Sequence, residues 1–442
     1  MKSIINNLTI ALALGIFSIP MAVAQQQLSL QQAVDLAMTR NPEIAASELE
    51  VQKAKQQKTI SRSLFLPSVS LAAQANHYFS VTPFFGFGES TQDDKIPYGR
   101  FGGEDQFATF VSAVQPLYNA QAFPTHQLSR LEEEERRLDL NSAKISMQAS
   151  VKQTYLQILV LQERISLQRE SISRNQRVLQ DAKSLFFQGK GLRVDTLRAY
   201  TAVKNLQPDL LKLTSAVQNG KLQLKALMGL DSLQEIQLTD SLFLPDPGSI
   251  PSTDEVYEAA KNNNPRYQAI ALQQQLDDQR THIASAARLP AISAVAQYQL
   301  QTQTNDFEYG NAYYPSSSFV GLQLSVPLFT GLSNQAKVKQ ARISKEQTAL
   351  RSNYAFEQLR ASAHKVVSES HESLARLHTA VDVQETAQLS YDIIQYRYKK
   401  GVASRLELND AELELSTAQS NYLEAVYDHL SARIALKSLM GE

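Results

Sequence analysis

Three stretches carry residue types that could do chemistry. His364, His371 and His378 recur every seven residues and so share one helical face. Neighbours in that row lie about 10.5 Å apart, too far for two imidazoles to hold one ion at about 2 Å. A shared ion would need three copies arranged around a common axis; the alternative is a solvated or interface stripe. Gln188-Gly189-Lys190-Gly191 suggests a phosphate loop, but Ser184 stands where its first glycine belongs, and no Ser or Thr follows the lysine. The four glutamates 132–135, followed by Arg136 and Arg137, read as a solvated helix face. No Ser/His/Asp set, catalytic carboxylate pair or metal-ligand set can be assembled. The chain has no cysteine, which removes thiol catalysis, thiolate metal sites and a disulfide framework. The expectation is a protein that is no enzyme and uses no cofactor or metal.

Composition narrows the class further. The 43 basic residues balance 44 acidic ones without a basic patch, which argues against nucleic acid as a partner. Residues 1–24 read as a secretory signal: Lys2, an apolar run over 8–17, then Ala22-Val23-Ala24 as the cleavage site. That run is too short to span a bilayer, and no later run approaches the length a membrane helix needs. Without a cysteine to carry lipid, any membrane attachment must come from the fold.

The elements that would position any site come from an internal duplication. Asn41-Pro42 and Leu66-Pro67 return at Asn264-Pro265 and Leu289-Pro290, an offset of 223. Gly189 and the Lys-Ala-Leu-Met-Gly ending at Gly229 return as Gly401 and the Lys-Ser-Leu-Met-Gly ending at Gly441, an offset of 212. Each copy predicts helices (30–66 and 254–289), a strand hairpin (68–118 and 291–329) and a long helical hairpin (120–229 and 332–441). The repeats span 25–241 and 254–442, joined by a proline-containing linker at 242–253. Asn-Pro reads as a helix stop and restart, because proline suits a first helical turn and disfavours a helical residue before it.

The hairpins carry heptads. Leu408, Leu415, Tyr422, His429 and Leu436 lie seven apart, and Ala411, Ala418, Ala425, Ala432 and Leu439 follow three behind them. Thr196, Val203, Leu210, Val217 and Leu224 keep the same register in the first copy. Val151, Ile158, Ile165, Ile172, Leu179 and Phe186 make the matching row on the outgoing helix. A 3–4 spacing buries a narrow stripe against neighbouring helices. A helix of more than 60 residues would be about 100 Å long, more suited to a tube than to a globule. Gly189 and Gly401 mark the reversals, and Pro208 predicts a bend in the returning helix of the first copy.

After each Leu-Pro the period becomes two. Val69, Leu71, Ala73 and Ala75 alternate with mainly polar residues, as do Ile292, Ala294, Ala296, Tyr298 and Leu300. Return strands are expected to end over 114–118, with Pro116, and over 325–329, with Pro327, proline being tolerated at strand ends. Strands of about a dozen residues, tilted by about 40°, would cross about 30 Å of hydrocarbon. Alternation alone leaves two readings, a membrane wall or half-buried soluble hairpins. Four strands cannot close a membrane barrel, and open edges are not tolerated in lipid. Membrane strands would therefore demand several protomers sharing one barrel.

In this order and duplication, the Asn-Pro…Leu-Pro runs, the hairpins ending at Pro116 and Pro327, the Gly189 and Gly401 turns and the two Leu-Met-Gly ends resemble the outer membrane efflux protein family, the TolC-like channels. The resemblance covers essentially the whole chain after residue 24. It implies a mainly helical fold with a β-barrel part. The coiled-coil hairpins would form an α-barrel across the periplasm, with four strands per protomer in a twelve-stranded barrel of a homotrimer. It implies a passive exit duct in outer-membrane lipid, docked on a periplasmic adaptor and an inner-membrane pump of RND or ABC type. The adaptor-docking tips would be Gly189, Lys190, Gly191, Leu192 and Gly401, Val402, Ala403, Ser404. The periplasmic gate would use a link between Tyr398 and Asp195 and an acidic ring of Glu407 and Asp410. The gate's basic residue falls on Ala403, with Arg405 two residues on. A duct for protein secretion is the close variant. A soluble coiled-coil adaptor lacks a visible biotinyl/lipoyl-like β-domain, and a periplasmic hydrolase lacks a catalytic constellation.

Overall fold

A computed structural model describes residues 26–86, 96, 98–242, 249–307 and 309–442. The signal reading at 1–24 lies outside the described residues, as do 243–248 of the linker. In chain order the regular elements are β1 (Gln26–Leu28), α1 (Leu30–Arg40), α2 (Pro42–Arg62), β2 (Ser68–His77), β3 (Pro83–Phe85), β4 (Tyr98–Arg100), β5 (Asp105–Asn119), α3 (Ala122–Phe187) and α4 (Arg193–Leu227). They continue with β6 (Ile236–Leu238), α5 (Thr253–Asn263), α6 (Pro265–Ala286), β7 (Ala291–Thr304), β8 (Ser316–Ser325), α7 (Ser333–Lys399) and α8 (Arg405–Met440).

Both copies start their helices in the same way. Ser29 caps α1 in a reciprocal box with Gln32, and Ser252 caps α5 in the same box with Glu255. Each box satisfies end amides that the helix itself cannot. Asn41 then ends α1, and Asn264 ends α5 while accepting from the Arg266 amide to start α6. The two motifs that recur in sequence meet in space. Asn41 Nδ2 donates to the Leu227 carbonyl at 2.8 Å, and Asn264 Nδ2 donates to the Leu439 carbonyl at 3.0 Å. Gly229 (φ 63°) lies so close to Arg40 that an added Cβ would fall 2.4 Å from its carbonyl oxygen, and Gly441 (φ 94°) meets Asn263 in the corresponding way.

The chain forms two units, and each draws on both repeats. One holds described residues of Met1–Pro42, Met147–Gly248 and Glu372–Ile434; the other holds Glu43–Ser146, Ser249–His371 and Ala435–Glu442.

The second unit contains a four-stranded antiparallel sheet ordered β2-β5-β7-β8. β5 pairs with β7, so the hairpin of one copy continues into that of the other, while β2 and β8 are left as edges. The register puts Val69, Ala113, Ala296 and Val320 in one cross-strand row, and Leu71, Val111 and Tyr298 in the next row on that face. The opposite face carries Ser70 bonded to Ser112, and a ladder in which Gln297 donates to Gln299 and Gln299 to Gln301. One face of the sheet is thus apolar and open, the other polar and hydrogen-bonded.

The first return strand ends at Asn119, beside the expected end at 118, and the second at Ser325, short of the expected 329. β5 runs through Pro116 to Asn119, with a register shift between Pro116 and Tyr118. The proline is accepted there because β2 pairs only as far as Val114, leaving no ladder bond on that side. β8 stops at Ser325, short of Pro327, because its partner β7 begins at Ala291 opposite it. The helix α4 is unbroken through Pro208. Two short pairs had no sequence signature: β1 runs parallel to β6, and β3 antiparallel to β4. No helix among the described residues is long and apolar enough to cross a membrane.

Candidate functional site

The first unit holds the two hairpin tips and the packing behind them. Each tip closes through the same pair of backbone bonds. The Gly189 amide donates to Phe186 and the Lys190 amide to Leu185; the Gly401 amide donates to Tyr398 and the Val402 amide to Arg397. Gly189 and Gly401 adopt φ of 71° and 72°. Nothing stands within 4 Å of where a Cβ would be at either glycine, so backbone conformation requires them, not space. The second glycine of the first tip has a different cause. A Cβ on Gly191 would lie 3.0 Å from Leu185 Cβ, and its counterpart Ala403 is buried.

The helices that leave the tips begin differently. Ser404 caps α8 in a box with Glu407: the Ser404 amide donates to Glu407 Oε1 (3.0 Å) and the Glu407 amide to Ser404 Oγ (3.2 Å). The Ser404 amide and hydroxyl hold the Glu407 carboxyl below the usual carboxylate range. In the first copy Leu192 occupies the cap with no side-chain bond, and Asp195 takes the position equivalent to Glu407. Leu192 and Val402 are exposed, as are Phe187 and Leu406, so both tips present apolar side chains.

Of the expected gate residues, Tyr398 packs against the cluster of Tyr391, Leu408, Ala411 and Leu415. No hydrogen bond joins Tyr398 to Asp195 within the protomer; Asp195 is half-buried at the start of α4. Glu407 and Asp410 are exposed on successive turns of α8. His364, His371 and His378 are all exposed on α7, and no cluster able to hold a metal occurs among the described residues.

Behind the tips the heptad seams are buried. Val203, Val217 and Leu224 of α4, and Leu408, Leu415 and His429 of α8, all lie inside. On α3 the row is buried at Val151, Ile158 and Ile165, half-buried at Ile172 and Leu179, and exposed at Phe186. The seam loosens toward the tip. A contact between α3 and α8 that no periodicity revealed is the charged pair Arg174–Glu412. Arg174 Nε donates to Glu412 Oε2 at 2.8 Å and Oε1 at 3.0 Å, and Ser171 Oγ donates to Oε1 at 2.8 Å. The only sequence signal for it was an arginine and a glutamate at helix positions flanking the seam.

A sheet with one apolar and one polar face, together with duplicated coiled-coil hairpins, is the combination expected of an outer membrane channel chain. Comparison with known proteins agrees. The family model described as outer membrane efflux protein matches residues 33–230 and 256–442. Curated relatives include the alkaline protease secretion protein AprF of Pseudomonas aeruginosa, 23% identical over 94% of this chain and 84% of that protein. Another is the outer membrane protein TolC of Vibrio cholerae, 20% identical over 93% and 90%. The pyoverdine export outer membrane protein OpmQ of Pseudomonas aeruginosa is 20% identical over 93% and 85%. Among solved structures, VceC of Vibrio cholerae superimposes with a TM-score of 0.73 at 17% identity, covering 93% of this chain and 96% of VceC. The Campylobacter jejuni CmeC outer membrane channel gives 0.75 at 16% identity, covering 93% and 85%. At these identities the structures show a shared fold. The chain belongs to the outer membrane efflux protein family, a family of channels in the outer membrane of Gram-negative bacteria.

Proposed function

We propose that the protein is the passive exit duct of a tripartite efflux system. Three copies share one barrel in the outer membrane, and their helical hairpins extend into the periplasm. The observation that carries this reading is the sheet: β2 and β8 end it unpaired, and one apolar face runs across all four strands. Exposed ladder edges are untenable in lipid, so β8 of one copy pairs with β2 of the next. Three protomers then give twelve strands, a size within the range of membrane barrels. The apolar tips around Leu192 and Val402 are surfaces for a periplasmic adaptor, which couples the duct to an inner-membrane pump of RND or ABC type. The exported small molecules meet a generic polar lumen, and the pump supplies the energy.

Sedimentation of the mature protein in detergent tests the assembly. A trimer that forms cation-permeable channels in planar bilayers is expected. A monomer monodisperse in buffer without detergent excludes the reading. A second reading, a duct for protein secretion, is favoured by the similarity to AprF. Loss of the gene separates the two: dye and antibiotic sensitivity supports efflux, and a missing extracellular protein supports secretion.

A further inference from the structure

The helices α3, α4 and α8 do not pack evenly along their length. At Gly220 of α4 an added Cβ would fall 2.9 Å from Ile158 Cγ1, so α3 and α4 touch there. One turn nearer the tip stand Ala216 of α4 and Ser416 and Ser420 of α8. These short side chains line a cleft of about 390 Å³ between the three helices. Leu161, Leu167 and Leu213 supply the apolar part of its lining. All of these residues belong to the first unit, and they come from both repeats.

The polar side chains of the cleft fall into two groups. Ser171 and Gln168 are spent: the first donates to Glu412 at 2.8 Å, the second to the Leu206 carbonyl at 2.9 Å. The others keep unused donors. Gln419 is only 8% exposed, and among the described residues its amide has no hydrogen-bond partner. Ser416 Oγ and Arg164 Nε are buried without a partner, and the far end of that guanidinium reaches the exposed Glu424 only at 3.4 Å. Lys212 is exposed at the cleft, as is Asp209, the acid of the lining, three residues before it on α4.

Native interiors satisfy nearly all of their buried polar groups, from the protein or from a bound molecule. Unspent donors on three neighbouring side chains, beside a lysine, fit an occupant that brings acceptors and negative charge. An ionised carboxylate is acceptor-only and has about four lone-pair sites to offer. The leucines of the lining suit an apolar body attached to it.

We propose that this cleft binds a small organic carboxylate. Gln419 and Ser416 donate to its oxygens, Arg164 and Lys212 supply the opposite charge, and its apolar body rests on Leu161, Leu167 and Leu213. The site needs one protomer only, so it stands independently of the duct reading above.

The test titrates 4-fluorobenzoate into the full mature protein in neutral detergent, followed by fluorine NMR. Saturable binding is expected, and none of 4-fluorobenzylamine, which has a similar shape and the opposite charge. Arg164→Gln and Gln419→Leu are each expected to raise Kd about tenfold. Lys212→Glu changes an exposed residue and so folds even if the other two variants do not; it is expected to raise Kd by a similar factor. A signal no different from that of detergent alone means that water fills the cleft, and it overturns the proposal. Equal binding of the amine overturns the choice of a carboxylate. An unchanged Kd in Lys212→Glu and in every other folded variant overturns the site, because the carboxylate then binds elsewhere.

Discussion

Asn41 and Asn264 do the same work in the two copies. Each carries its amide from the end of one helix to the last carbonyls of a helical hairpin, closing the joint between an Asn-Pro and a Leu-Met-Gly motif. A buried carbonyl left without its donor costs about 1–3 kcal/mol. Asn264→Ala is therefore expected to lower stability by about that amount in urea unfolding followed by helical circular dichroism. Asn264→Asp, which keeps the shape but loses the donor, should lose as much; an unchanged midpoint would show that water replaces the bond.

Glu407 presents two roles at one residue. Its carboxylate caps α8 through Ser404, and we propose that with Asp410 it also lines the pore of the proposed duct as an acidic ring. Paired loss of charge, Glu407→Gln with Asp410→Asn, should weaken block by multivalent cations in single-channel recordings. The glutamine keeps an acceptor for the Ser404 amide, so α8 should still start at Arg405. Block equal to that of the wild type would remove these residues from the pore.

At the scale of the element, the α8 seam contains a histidine where its heptad otherwise asks for an apolar residue. His429 is 2% exposed, with Ser373 Oγ 3.5 Å from its Nδ1. Burial lowers its pKa below the ordinary 6.5, helped by Arg433 and His378. The unfolded chain binds a proton near that ordinary value while the folded one does not. The seam is therefore fully stable above about pH 6.5 and loses stability as pH falls from there through the depressed folded value. Thermal unfolding in detergent should show a midpoint that drops between about pH 7 and pH 5. In His429→Gln the drop should be smaller; an identical profile would place the acid sensitivity elsewhere.

The same elements show how much could be read in advance. The heptads located α3, α4 and α8, and the alternation located β2 and β7, because both periods express which face of an element is buried. Pro208 lies inside an unbroken 35-residue helix, with the buried seam on either side of it. The second return strand ends at Ser325, short of the expected 329, because a strand stops where its partner stops, and β7 begins at Ala291 opposite it. The β1–β6 pair had no signal at all; three residues of each are held by tertiary bonds, including Tyr155 Oη to the Leu28 carbonyl at 2.8 Å.

At the scale of the whole molecule, duplication is the governing fact. Each packed unit takes segments from both repeats, so neither copy completes a unit alone. The sheet repeats that dependence one level up. Two copies' hairpins join through β5 and β7, and β2 and β8 remain as edges, which neighbouring chains pair in the trimer proposed above. A proline at an edge position such as Leu322, which β7 leaves free on one side, tests this. Leu322→Pro should abolish the detergent trimer while leaving the helical circular dichroism of the monomer in place. A trimer that survives would mean that β8 does not pair between protomers.

What the amino-acid order settled unaided was local: the two periods, the turn glycines at 189 and 401 and the duplication that sets them in series. These depend on residues within a turn or two of one another, where backbone sterics and side-chain reach decide the outcome. Only the folded chain showed that Asn41 finds Leu227, that β5 meets β7 and that Arg174 is matched to Glu412. Those partners lie far apart in sequence, and which of many equally suitable donors and acceptors meet is decided by the packing of whole helices and strands.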